Sequence, residues 1–215
     1  TVLGGIEAVI WTDVVQVIIL FAGAIVSIII LLAGMPEGPG QLFEVAQQHG
    51  KFSLGSWQPD LIAPTVWVVL IYGIFENLRN FGVDQNYVQR YQVTKSIKAA
   101  SRAVWIAAIA YIPVSALFLF IGTALFSFYS ANAELLPSSL EGALTGDKIY
   151  PYFIATQFPV GLRGLLIAAI FAAAMSSIDS SLNCVSTLTL LDFYKRHINP
   201  GAHEKQSIKM LRIYT

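Results

Sequence analysis

The chain has 215 residues, 13 Lys and Arg against 13 Asp and Glu, and a 55% hydrophobic share with only 12% charged residues. Soluble domains carry about 25% charge, so this composition, with a mean hydropathy of +0.64, argues against an ordinary soluble domain and for the membrane. Zero net charge offers no basic footprint for nucleic acid, and a single cysteine, Cys184, cannot form an intrachain disulfide.

The chain opens on Thr1 without a Met or a signal peptide and stops at Thr215 after a basic stretch, so an internal fragment of a larger polytopic protein is expected. The missing transmembrane helices of that protein would then be its closest partners, together with the lipid bilayer. A spanning helix needs roughly 20 apolar residues, and four stretches qualify. The first runs over about 6–34, with Asp13 near its start and no further charge until Glu37. The second, about 61–83, has a short charge-free part and then meets Glu76, Asn77, Arg79, Asn80 and Asp84. The third, about 103–129, contains Pro113, and the fourth, about 165–193, ends in a run of small and hydroxylated residues.

Basic residues set the direction. Arg90, Lys95, Lys98 and Arg102 fall in 84–102, and Lys195, Arg196, Lys205, Lys209 and Arg212 in 192–215. The positive-inside rule places both segments, and residue 1, in the cytoplasm, and places 35–60 and 130–160 outside. The segment 146–158 (GDKIYPYFIATQF) predicts a short surface helix or lid rather than a fifth span. No internal repeat is visible.

Chemistry concentrates in AAIFAAAMSSIDSSLNCVST, residues 168–187. Ala173, Ser176, Ser177, Ser180 and Cys184 follow the spacing of one helix face, with Asp179 at its edge. In hydrocarbon such a face is costly unless it packs on another helix or meets water or an ion. Small residues and back-bonded hydroxyls also serve plain helix packing. Five serines within 176–186 beside a carboxylate favour a hard monovalent cation at mid-membrane depth.

Asp13 is an ionisable group within a span, which is a functional position by default. It either faces the serine ladder and completes a second cation site, or sits solvated at the interface beside Trp11. In the second span Glu76 and Arg79 are spaced to pair on one face. The amides Asn77, Asn80 and Gln85, beside Phe81, suit a small hydroxylated or carboxylated solute. Gly82 interrupts the helix there, exposing backbone at a binding site or marking a helix end with Arg90 and Tyr91 as interfacial anchors. Tyr111 and Pro113 mark a kink in the third span. Met175 and the many Phe residues read as core or lipid-facing filling.

Three motifs, GGIEAVIWTDVVQ, NLRNFGVDQNYVQRYQVTKS and FAAAMSSIDSSLNCVSTLTLLDFYKR, resemble the sodium/solute symporter family, that of the sodium–glucose, sodium–proline and sodium–sialic acid symporters. They occur in the family's order and cover essentially the whole chain. The resemblance implies an all-α membrane protein with a leucine-transporter-like inverted-repeat core, of which these spans are core helices five to eight. It implies a main sodium site using Ala173, Ser176 and Ser177, with the remaining ligands on core helix one, outside this chain. It implies a second sodium site at Asp13, Ser176 and Ser180. Asp179 stands where the family has another serine, a departure that either removes the second site or makes it more acidic. Solute positions map onto Asn77, Asn80 and Phe81, and Tyr111 replaces a lysine of some sugar carriers. A galactose-type pocket is therefore not copied, and the QRY ending leans toward the carboxylate and sialic acid branches.

The expectation is sodium-coupled secondary active symport of a small polar solute (a sugar, sialic acid or a carboxylate) by a multi-pass protein of a bacterial inner membrane. Na+ is the coupling ion, and no enzyme activity is expected. Two alternatives stay open: a transporter-like membrane input domain of a sensor protein, and an intramembrane enzyme using Asp13 and Asp179 as a carboxylate pair. A channel is a lesser one.

Overall fold

The computed structural model describes residues 5–214 apart from 54, 64, 93 and 141–145, with the side chains of 5–9 and 92 also outside the description. Residue 1, which the charge rule puts in the cytoplasm, lies outside it too. The described residues form helices and loops, with no strand among them. In chain order the helices are α1 (Gly5–Ala33), α2 (Pro39–Gln48), α3 (Val66–Gly82), α4 (Gln85–Gln92), α5 (Ile97–Ala131), α6 (Gly146–Gln157), α7 (Val160–Leu188) and α8 (Glu204–Tyr214). Two short 3-10 turns precede α6, and α7 continues as a π-helical stretch, Thr189–Ile198.

Three helical stretches, Ile10–Ala33, Ile97–Ala131 and Val160–Ile198, are long and apolar enough to cross a membrane by length and composition. Helix α3 has 17 residues, about 26 Å at the usual rise, somewhat short of a bilayer core of about 30 Å. Helix α5 runs unbroken through Pro113. Much of the apolar surface of these helices is bare: Ile18, Tyr72, Ile112 and Phe171 are all exposed, and α3 buries none of its residues.

The chain divides into two compact units. One comprises Thr1–Ile19, Glu76–Ala100 and Ala168–Thr215, and the other comprises Leu20–Phe75 and Ser101–Ile167. The second unit has a continuous apolar core of Ala24, Leu31, Leu42, Ile121, Phe128, Phe153 and their neighbours. Phe153 meets Phe128 and Phe158 edge to face, with ring centroids 5.7 and 5.9 Å apart, the arrangement aromatic quadrupoles prefer. Helix α2 is fastened by its buried Leu42 and Ala46, and by the Ser127 hydroxyl donating to the Leu42 carbonyl at 3.0 Å. Gly34 permits a close approach: a Cβ there would lie 2.7 Å from the Phe128 ring.

Helix α6 is the short helix expected over 146–158, exposed along one face. Its other face packs, with Phe153, Ile154 and the following Phe158 buried in the core. Its Tyr150 hydroxyl lies 2.9 Å from the Ser27 hydroxyl. Ser27 itself donates to the Gly23 carbonyl at 2.9 Å, which makes Tyr150 the donor of the pair. Burial pushes the Tyr150 phenol above its usual range.

Candidate functional site

Apart from Tyr111, the residues nominated from sequence fall in the unit of 1–19, 76–100 and 168–215. Helix α3 closes with the amides of Val83 and Asp84 on the Arg79 carbonyl, both at 3.1 Å. Asp84 then caps α4: its Oδ1 accepts the Asn86 amide at 2.8 Å, and its carbonyl accepts the Val88 amide at 3.0 Å. Such a cap satisfies amides that a helix start leaves unpaired. At the other end of α4 the Thr94 hydroxyl donates to the Tyr91 carbonyl at 2.7 Å. The result is a short, doubly terminated helix that presents Gln89 and Arg90.

Both residues are engaged. Arg90 Nη2 lies 3.1 Å from Oδ2 of Asp13, and the Ser176 hydroxyl donates to Oδ1 of the same carboxylate. Asp13 on α1 thus meets α4 and α7 at once. Its side chain is 23% exposed and that of Arg90 is 47% exposed. Trp11, by contrast, is exposed. Gln89, 8% exposed, accepts a hydrogen bond from Asn183 at 3.0 Å.

Along α7 the hydroxyl ladder takes two forms. Ser176 is buried and turned to Asp13, whereas Ser177 and Ser181 are exposed and back-bond to the carbonyls of Ala173 and Ser177 at 3.1 and 3.0 Å. Ala173, Asp179 and Ser180 are half-buried within one turn of Ser176. The oxygens nominated from sequence for sodium therefore lie on one stretch of helix, with the Asp13 carboxylate brought to them from α1. Hydroxyl, carbonyl and carboxylate oxygens are hard donors that suit a hard monovalent cation, whereas no group of three or more His, Cys, Asp or Glu placed to hold a metal occurs among the described residues.

The nominated solute residues do not form one set. Glu76 pairs with Arg79 through both carboxylate oxygens, as their spacing predicts. It also accepts from Asn80 Nδ2 at 3.4 Å. Phe81 rests 5.2 Å from the Tyr87 ring, Gln85 opens α4, and Asn77 is exposed on α3. Tyr111 belongs to the other unit, on α5, and is 71% exposed. That unit also has a cavity of about 690 Å³ lined by Lys51, Phe126, Tyr129, Leu136, Ile149 and Tyr150 among others, and none of the nominated residues lines it. Arg90, Gln89 and Asn183 are the residues that the sequence reading did not nominate. Gln89 and Asn183 lie 94 positions apart, and Arg90 and Asp13 lie 77 apart, so no local spacing signals either pair.

Residues 1–215 match the model of the sodium:solute symporter family. The chain belongs to that family. It is 40% identical over 99% of its length to a sodium/sialic acid symporter of Proteus mirabilis, and 38% identical over 97% to one of Aliivibrio fischeri. A sodium/glucose cotransporter of Vibrio parahaemolyticus is 30% identical over 99% of the chain. These alignments cover 42%, 41% and 41% of the three relatives, so the chain spans less than half their length. Among solved structures, the substrate-bound outward-open state of a Na+-coupled sialic acid symporter, described as revealing a novel Na+ site, matches with a TM-score of 0.85 and 37% identity. It covers 99% of this chain and 44% of that one. The all-helical, leucine-transporter-like fragment of a membrane protein expected from the motifs is borne out, and the relatives are transporters, not enzymes.

Proposed function

We propose that the chain is part of a sodium-driven importer of a small polar organic solute, with α1, α3, α5 and α7 as four spans and an acidic sugar of the sialic acid type as the first solute to test. The observation that carries this reading is the Asp13 carboxylate meeting the buried Ser176 hydroxyl of α7, within one turn of Ala173, Ser177, Asp179 and Ser180. Oxygens from two helices gathered inside apolar segments suit removal of the water shell of a monovalent cation. Ala173, Ser176 and Ser177 would serve the main sodium site, completed by helices outside this chain. Asp13, Ser176, Ser180 and Asp179 would serve a second site, made more acidic by Asp179. Asn77, Asn80, Phe81 and Gln85 are proposed for the solute, with Tyr111 as a further candidate. Relatives at 40% and 38% identity that carry sialic acid support the choice of solute.

Sodium drives uptake in this scheme by binding one of the two access states better than the other. Sodium and solute therefore strengthen each other's binding, by an equal factor in each direction. The test is uptake of labelled sialic acid, sugars and short carboxylates by the full-length protein in proteoliposomes, with and without an inward sodium gradient. Uptake that ignores sodium for every solute would falsify the proposal.

A further inference from the structure

The Asp13 carboxylate is already matched by a cation of the protein itself. One oxygen takes the Ser176 hydroxyl and the other faces the Arg90 guanidinium at 3.1 Å. A guanidinium is always charged at working pH, so a sodium ion arriving at this carboxylate meets a positive charge in place. Two cations within a few ångströms repel even at the effective dielectric of a protein edge, and only one of them is free to leave the molecule. Arg90 is built to yield. It projects from the last turn of a short helix, its side chain is 47% exposed, and Asp13 is half as exposed at 23%. The guanidinium is thus the less enclosed partner, while the carboxylate is also held by Ser176.

We propose that Arg90 is a built-in competitor of sodium at Asp13: the ion takes the carboxylate as the guanidinium withdraws, and the returning guanidinium expels the ion. This rests on the reading of Asp13 and Ser176 as ion ligands. Arg90 acts through Asp13 and is a positioning residue. Its withdrawal and return set how tightly the second site holds sodium and how quickly the site empties.

The sign of the effect separates competition from mere support. A competitor's removal tightens the site, whereas loss of a prop loosens it. In proteoliposomes of the full-length protein, Arg90→Gln is expected to lower the half-saturating sodium concentration about tenfold and to reduce maximal uptake, because release slows. Arg90→Lys keeps the charge and is expected to stay within about twofold of wild type in sodium dependence. Arg90→Met, which keeps length and packing without charge, is the companion variant if Arg90→Gln accumulates poorly. Its second readout is the sodium-induced rise in melting temperature of purified protein, expected to exceed that of wild type. A half-saturating concentration unchanged or raised in the neutral variants, with a sodium-induced rise no larger than wild type's, overturns the competition. Loss of sodium dependence in wild type, or none of its change in Asp13→Asn, would instead sink the underlying ion-site reading.

Discussion

Among the described residues, one unit of this chain encloses the apolar core and the other carries the contacts of Asp13 and Gln89. Residues 20–75 and 101–167 enclose Leu31, Leu42, Ile121, Phe128, Phe153 and Ile154 with almost no exposure. In the unit of 1–19, 76–100 and 168–215, the buried apolar residues among those described are Ala169, Cys184 and Leu190, and long-range hydrogen bonds among those described join Asp13 with Ser176 and Arg90, and Gln89 with Asn183. An apolar contact has no substitute in water, so it resists exchange. A carboxylate or a hydroxyl can trade one partner for another, or for an ion, at modest net cost. The first unit suits a fixed scaffold and the second a site whose contacts change.

That contrast can be broken from either side. The largest effect is expected from Phe153→Ala, which empties the aromatic centre of the packed unit and should cost about 3–5 kcal/mol. A steep loss of protein in the membrane, or a melting temperature many degrees lower, checks it. A variant of normal stability would show that this core does not act as the scaffold. Next come the exchangeable contacts. Asp13→Asn and Ser177→Ala are each expected to raise the sodium concentration needed for uptake, by about tenfold if one ligand's worth of binding is lost, with the protein still in the membrane. Unchanged sodium dependence in both would leave the polar unit without its proposed role. Asp179→Ser sharpens the same point: removing a charge one turn from Ser176 is expected to weaken sodium binding by a smaller factor, measured in the same assay.

A smaller effect is expected from Ser27→Ala in the packed unit. It leaves the part-buried Tyr150 hydroxyl without its acceptor and should lower stability by about 1–2 kcal/mol, with sodium dependence unaltered. The smallest is Asp84→Ala, which removes the cap of α4 at a cost of about 1 kcal/mol. Its informative readout is again sodium dependence, because α4 carries Arg90.

The helices were legible because their apolar runs are long, and Asp13 and Ser176 were legible because polar groups inside such runs stand out. The Glu76–Arg79 pair followed from spacing on one helix. What the sequence hid is long-range. Arg90 reads from sequence as one more basic residue of a cytoplasmic loop, and only the fold brings it to Asp13. The short helix over 146–158 was legible, but not its anchoring: Phe153 and Ile154 join a core with residues of α1 and α5 that local periodicity cannot reveal. Tyr111 is a solute candidate by resemblance alone, and it lies on α5 in the packed unit.

Pro113 has a consequence for how α5 can deform. A proline has no amide hydrogen to give, so the carbonyl of Ile109 lacks the donor that a regular rung supplies. Bending there breaks no rung that exists. Helix α5 therefore resists bending least at one place partway along its apolar length, where Pro113 leaves a rung unmade.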